Sequence, residues 1–269
     1  MISGQKSVPI QRIRKNDLVE QQDIVAIEEP LEIRIHQNET SQPVSITMRT
    51  PGADEQLACG FLFTEGILRQ QVELESVRIT GLNEVTVTLA AGSTCDLDTL
   101  DRNFYTTSSC GVCGKSSIEA IYQNPDLPES ENTLTIPENL LFSLIPQLNK
   151  IQTLFSLTGG IHAAALFNAS GNLLNLQEDV GRHNALDKLI GEAFLNGSLP
   201  LSECLLLLSG RASFELIQKA SMAGIPIVAA IGAPSSLAVE LAQERGQTLV
   251  GFLKANGYNC YSGHERIHR

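Results

Sequence analysis

Residues 108–115, SSCGVCGK, set two thiols, Cys110 and Cys113, at CxxC spacing among glycines and beside Lys115. That spacing serves thiol–disulfide exchange, zinc binding or sulfur transfer. A thioredoxin-type pair sits early in its fold, directly after a first strand, whereas more than one hundred residues precede this one. A structural zinc site needs four ligands, and no second CxxC accompanies the first. A zinc deaminase carries His-x-Glu ahead of Pro-Cys-x-x-Cys; here Ser109 holds the proline position and the chain has no His-x-Glu. No zinc is therefore expected, and thiol chemistry remains. A cysteine close to a helix start and a lysine has its thiolate favoured, and flanking glycines let a bulky partner approach the backbone. These properties suit a carrier that moves sulfur between two proteins. Two other readings stay open on the residues alone: a binding protein whose cysteines are only contacts, and a redox-regulated one that closes a reversible Cys110–Cys113 disulfide.

A second group of candidates lies in three glycine-containing loops, EDVGRHN (178–184), SGRASFE (209–215) and GAPSSL (232–237). Each joins a predicted strand to a predicted helix. In an open α/β sheet such loops gather at the carboxyl ends of the strands, where helix N-termini offer free N–H groups to anions. Arg182, Arg211, Ser213, Ser235 and Ser236 are the candidate phosphate donors. Glu178 or Asp179 is the candidate acceptor for a guanine edge. His183, between Arg182 and Asn184 at a helix start, reads as facing a ligand; His162 opens an apolar strand and suits either a core or a site role. His36, His264 and His268 read as surface residues. Cys59 and Cys204 lie in apolar elements and read as small buried hydrophobes.

The elements that must position these groups follow from periodicity. LEIRIHQNETSQPVSITM (31–48) alternates about a polar turn and predicts a hairpin, and SVRITGLNEVTVTLA (76–90) predicts a second. Between them, Pro51 and Gly52 precede a helical pattern through Leu57, Phe61 and Leu62. After the cysteine pair, prolines and acidic residues in NPDLPESENTLTIPEN predict an exposed connection. A helix follows, which Pro146 is expected to kink or end. From residue 158 strand, loop and helix repeat, with CLLLLS and PIVAAI as buried strands. The expected architecture is a layered α/β core with a mixed, largely parallel sheet, plus a smaller N-terminal α+β unit. The expected division is 1–107 for that unit, 108–136 for a CxxC loop and linker, and 137–269 for the α/β domain.

With 269 residues, 42% hydrophobic and 18% charged, the chain is an ordinary globular one. Its net charge of −11 opposes non-specific nucleic-acid binding, so any anionic ligand must find a local basic pocket. No run approaches the ~18 apolar residues of a membrane span. Basic residues near the N-terminus have no apolar run behind them, so no secretory signal is expected and the cytoplasm is the expected compartment.

The segments RTPGADEQLACGFLFTEGI, SSCGVCGK, TGGIHAAAL, EDVGRHNALDK, SGRASFELIQKASMAGIPIVAAIGAPSSLAVELA and GFLKANGYNCY resemble, in order and over nearly the whole chain, the motifs of the formate dehydrogenase accessory sulfurtransferases, the FdhD family. The resemblance implies a cytidine-deaminase-like fold without the deaminase zinc site, and a homodimer. It implies that a cysteine desulfurase passes sulfane sulfur to the CxxC loop. The sulfur then goes to the bis(molybdopterin guanine dinucleotide) form of the molybdenum cofactor, the form that formate dehydrogenase needs sulfurated. Carried onto this chain, Cys110 would bear the persulfide and Cys113 would be a supporting thiol. The segment Phe252, Leu253, Lys254, Ala255, Asn256 and Gly257 would belong to the cofactor-binding surface. There Phe252 suits a flat ring, Lys254 a phosphate and Asn256 a base; without the resemblance this stretch reads as a strand ending in a turn.

Overall fold

The computed structural model describes residues 4–15, 17–93 and 134–269. The CxxC loop, with Cys110 and Cys113, and most of the expected linker lie outside the described residues.

The described chain opens with β1 (Gln5–Arg14) and β2 (Asp17–Ala26), an antiparallel ribbon that pairs with no other strand among the described residues. The predicted hairpins follow as β3 (Glu29–Gln37) with β4 (Thr40–Arg49), and β5 (Leu74–Gly81) with β6 (Glu84–Leu89). They join into one four-stranded sheet of order β4-β3-β6-β5, closed by a parallel β3–β6 pairing. Alternation drives this sheet: Leu31, Ile33, Ile35, Val85, Val87 and Leu89 point inward. Helix α1 (Asp54–Thr64) buries Leu57, Ala58, Cys59, Leu62 and Phe63.

After β7 (Ile136–Pro137), α2 (Glu138–Ile151) runs continuously through Pro146. The proline neither ends the helix nor lies on its buried side; Leu140, Leu141, Leu144 and Leu148 face the core. A short α3 (Thr153–Thr158) precedes β8 (His162–Asn168) and β9 (Leu173–Asp179). Then come α4 (Arg182–Leu195), β10 (Cys204–Leu208), α5 (Phe214–Met222), β11 (Ile227–Ala230), α6 (Ser236–Glu244), β12 (Thr248–Lys254), β13 (Gly257–Ser262) and β14 (Ile267–His268). The last pairs in parallel with β7.

The main sheet has the order β13-β12-β11-β10-β8-β9. It is mixed, as expected, but less parallel than expected: β10, β11 and β12 are parallel, while β8–β10, β8–β9 and β12–β13 are antiparallel. The reason is the short Asn168–Gly171 turn, which makes β8 and β9 a hairpin where a crossover helix would have been needed for parallel pairing. Successive residues of the central strands serve opposite faces. Leu206, Leu208, Val228 and Ala230 join one hydrophobic cluster, and Leu205, Leu207, Ile227 and Ala229 join the other, where α2 packs. The first cluster also takes in Leu31, Ile33, Leu57, Val85 and Leu186, so both large sheets share it.

Two features bind the halves more specifically. Helices α1 and α4 cross with Gly60 against Asp187 and Gly191 against Gln56, so closely that no Cβ fits at either glycine. Beside this crossing Lys219 is buried, donating to both Asp187 oxygens at 2.9 Å and to Thr64 at 2.8 Å. Burial alone would lower the Lys219 pKa, but the Asp187 and Glu65 carboxylates outweigh it and raise the value, so the ammonium stays charged.

Candidate functional site

Because β8 is antiparallel to β10, its first residue lies where β10 ends, and the end of β9 comes to the same edge through the His162–Asp179 pairing. The three loops singled out in the sequence therefore gather at one edge of the sheet. The second and third of them are also laced together. Gly232 N–H donates to Gly210 O at 2.9 Å, Ala212 N–H to Ala233 O at 3.2 Å, and Ser235 N–H to Ala212 O at 3.1 Å. A Cβ on Gly232 would lie 2.9 Å from backbone atoms of residues 210 and 211, so only glycine permits this approach.

The C-terminal segment joins the same edge through Phe252, whose N–H donates to Gly232 O at 3.1 Å. The β12–β13 register slips between Gly251 and Lys254, and Phe252 takes a left-handed φ of 52°. This bulge turns the Phe252 ring outward, 44% exposed. Phe252, Lys254, Gly257, Tyr258 and Asn259 line an open cavity of about 420 Å³. Tyr258 is fixed there by donating to Glu138 at 3.0 Å, and its pKa is pushed up to about 12 by burial and by that carboxylate.

The edge carries two arginines. The pKa of His162 is lowered by burial first, and then by Arg182, His183 and Arg211, against an opposing pull from Asp179. The two arginines among these neighbours lie near one another on a chain of net charge −11. Arg182 Nε is buried without a hydrogen-bond acceptor among the described residues, a cost that a ligand oxygen would remove. His183 Nε2 lies 3.4 Å from Ser213 Oγ and 3.8 Å from Glu215 Oε2.

Glu215 was not anticipated, although an acid in the first turn after Ser213 is a recognisable helix-start signal. His183, its own backbone N–H and Ser213 lower its pKa to about 2 against the opposing cost of burial. A depressed carboxylate stabilises the fold above its unfolded value of 4.5 and loses that contribution as pH falls toward 2. Glu215→Gln is accordingly expected to cost about 1–2 kcal/mol near pH 6, after allowance for partial exposure, and nothing near pH 2. Urea melts of both proteins across that range check the convergence.

Three expected site residues are engaged elsewhere. Asp179 is wholly buried: Lys188 Nζ stands 2.6 Å from Oδ2, and the N–H groups of Thr50 and Gly181 and the Asn184 amide donate to it. Its oxygens are used internally, so it does not present a guanine acceptor. Leu253, next to the outward Phe252, points into the core among Val250 and Leu207. Glu178 likewise is engaged, accepting from Leu154 and Phe155 N–H at the start of α3. Arg211, Ser235, Ser236, Lys254, Ala255 and Asn256 are exposed, with Ser235 also capping α6 through Ala238 N–H. Tyr258 and Asn259 extend the expected surface by two residues that the sequence reading stopped short of.

A family model described as the FdhD/NarQ family matches residues 26–268. The chain is 48% identical over 266 residues to a Streptomyces coelicolor protein named sulfur carrier protein FdhD, covering 95% of this chain and 93% of that one. It is 40% identical over 262 residues to the protein of the same name from Sulfolobus acidocaldarius, covering 97% and 98%. A crystal structure from Desulfotalea psychrophila, described as a formate dehydrogenase accessory protein, superposes with a TM-score of 0.75 at 24% identity, over 98% of this chain and all of that one. The two folds correspond. No helix among the described residues is long and apolar enough to cross a membrane.

Proposed function

The chain belongs to the FdhD/NarQ family, and from that premise we propose that it is a sulfur carrier acting in formate dehydrogenase maturation. Its layered core is read as the cytidine-deaminase-like fold, put to carrier use. The Cys110 thiolate attacks the terminal sulfur of a cysteine desulfurase persulfide. The donor S–S bond breaks, the desulfurase thiolate leaves, and Cys110 holds the sulfane sulfur with Cys113 as supporting thiol. The acceptor is the molybdenum of bis(molybdopterin guanine dinucleotide), bound as substrate at the sheet edge, and the protein works in the cytoplasm.

The observation that carries the binding half is the convergence of Arg182, His183, Arg211, Ser213, Ser235 and Ser236 with the outward Phe252 and Lys254 at one edge of an acidic protein. Diphosphate oxygens suit the arginines and hydroxyls, and a guanine face suits Phe252. Peptide-level mass spectrometry after incubation with a cysteine desulfurase and cysteine, without reductant, tests the carrier half. One thiol-labile sulfur on the Cys110 peptide supports it. An unmodified peptide beside an active desulfurase would replace it with a cofactor-binding chaperone that transfers no sulfur.

Phe252 separates binding from folding. Its left-handed backbone favours glycine, and its exposed ring contributes little to the core. Phe252→Gly is expected to keep or raise the melting temperature while weakening GDP binding about tenfold. Calorimetry of both proteins measures the two quantities.

A further inference from the structure

Tyr258 is anchored more firmly than its place in the sheet requires. Its strand, β13, ends the order of the main sheet among the described residues, where a side chain ordinarily keeps its rotamer freedom. Here the hydroxyl donates to Glu138 at 3.0 Å, the ring stands 5.9 Å from that of Phe142 at 46°, and the side chain packs on the core cluster that holds Leu253. Glu138 and Phe142 both come from α2, at the i, i+4 spacing that puts two side chains on one helix face. The start of α2 is itself pinned, because Ile136 and Pro137, directly before Glu138, pair with Ile267 and His268. An acid in the first turn would suit the helix N-terminus without any tyrosine; this one also fixes a ring.

The bulge determines what that ring faces. The ladder pairs Gly251 with Asn259 and Lys254 with Gly257, so Phe252 and Leu253 together stand opposite the single residue Tyr258. Leu253 takes the core side and Phe252 the solvent side. Tyr258 therefore lies between the core cluster and the cavity that it lines with Phe252, Lys254, Gly257 and Asn259. With its proton spent on Glu138, the ring offers the cavity a flat π surface.

We propose that Tyr258 is a second stacking residue beside Phe252, taking the flat base of a nucleoside diphosphate, and that Glu138 and Phe142 are its positioning residues. This rests on the reading of the sheet edge as the nucleotide-binding surface. A ring held in place before the ligand arrives loses no rotamer freedom on binding, which is the gain that Glu138 and Phe142 supply.

Calorimetric titration of the full chain with GDP and, separately, with inorganic pyrophosphate tests it, because pyrophosphate has the phosphates without the base. Tyr258→Ala is expected to weaken GDP binding about tenfold and to leave pyrophosphate binding unchanged. Glu138→Ala and Tyr258→Phe each remove one end of the same hydrogen bond. Each is expected to weaken GDP binding about fourfold, and the double variant no further than either single. Glu138→Gln, whose amide oxygen still accepts from the phenol, is expected to bind GDP within about twofold of the wild type. Tyr258→Phe keeps the ring, so it reads the hydrogen bond even where Glu138→Ala disturbs the helix start. Unchanged GDP affinity in Tyr258→Ala, an equal loss of GDP and pyrophosphate, or additive losses in the double variant would each overturn the proposal. A wild type that binds GDP no better than pyrophosphate would overturn it while the sheet-edge reading stands, and one that binds neither would overturn both.

Discussion

Cys110→Ala is expected to leave the protein folded and able to bind guanine nucleotide, and to reduce formate dehydrogenase maturation by at least about a hundredfold. A sulfane carrier has no substitute for the sulfur that forms the persulfide, because the new S–S bond is the transferred cargo's only tether. The surrounding serines cannot take that role, since an alkoxide at neutral pH is far scarcer than a thiolate. Cys113→Ala is expected to retain part of the activity, as a supporting thiol should. The measurement is dehydrogenase activity in cells lacking the endogenous carrier, complemented by each variant, with melting temperature and GDP affinity followed alongside. Full activity of Cys110→Ala would remove this residue as the carrier while leaving the sheet-edge binding surface as it stands.

Gly60→Ala and Gly191→Ala carry the largest expected effects on stability. A Cβ at residue 60 would lie 1.9 Å from Asp187 O, and one at residue 191 would lie 1.8 Å from Gln56 O. Both contacts are with backbone, so no rotamer change relieves them and the helices must move apart. That separation loosens Leu57, Leu186 and Ile190, which share the cluster around the crossing. Each substitution is expected to cost about 3 kcal/mol or more, a large part of the 5–15 kcal/mol that stabilises a typical domain. The double variant should lose less than the two singles together, because helices already forced apart have room for the second methyl. Denaturant titrations of the three variants read both results.

The contrast between what sequence revealed and what it concealed follows from burial. Leu31 to Ile35 and Val85 to Leu89 alternate because one face is buried, so both hairpins were legible. The three loops were legible because strand-to-helix turns need glycine and capping residues. The β1–β2 ribbon was not, since both its faces meet solvent and nothing imposes a period-two pattern. Asp179 and Leu253 were misplaced for a related reason. Sequence places a residue in a loop or strand end, but which way it points depends on Lys188 from α4 and on the bulge at Phe252, neither of which is local. The buried ions Lys188, Asp187 and Lys219 gave no signal, because charged residues on helices ordinarily face water.

Thr50 directly follows β4, and its N–H donates to Asp179 while its hydroxyl accepts from Val180 N–H and its carbonyl from Lys188. The loop that presents Arg182 and His183 therefore cannot open without releasing the end of that strand. In native-state hydrogen exchange, the Thr50 and Val180 amides should open as one unit, and an anion held by Arg182 should slow both, although Thr50 itself touches no ligand.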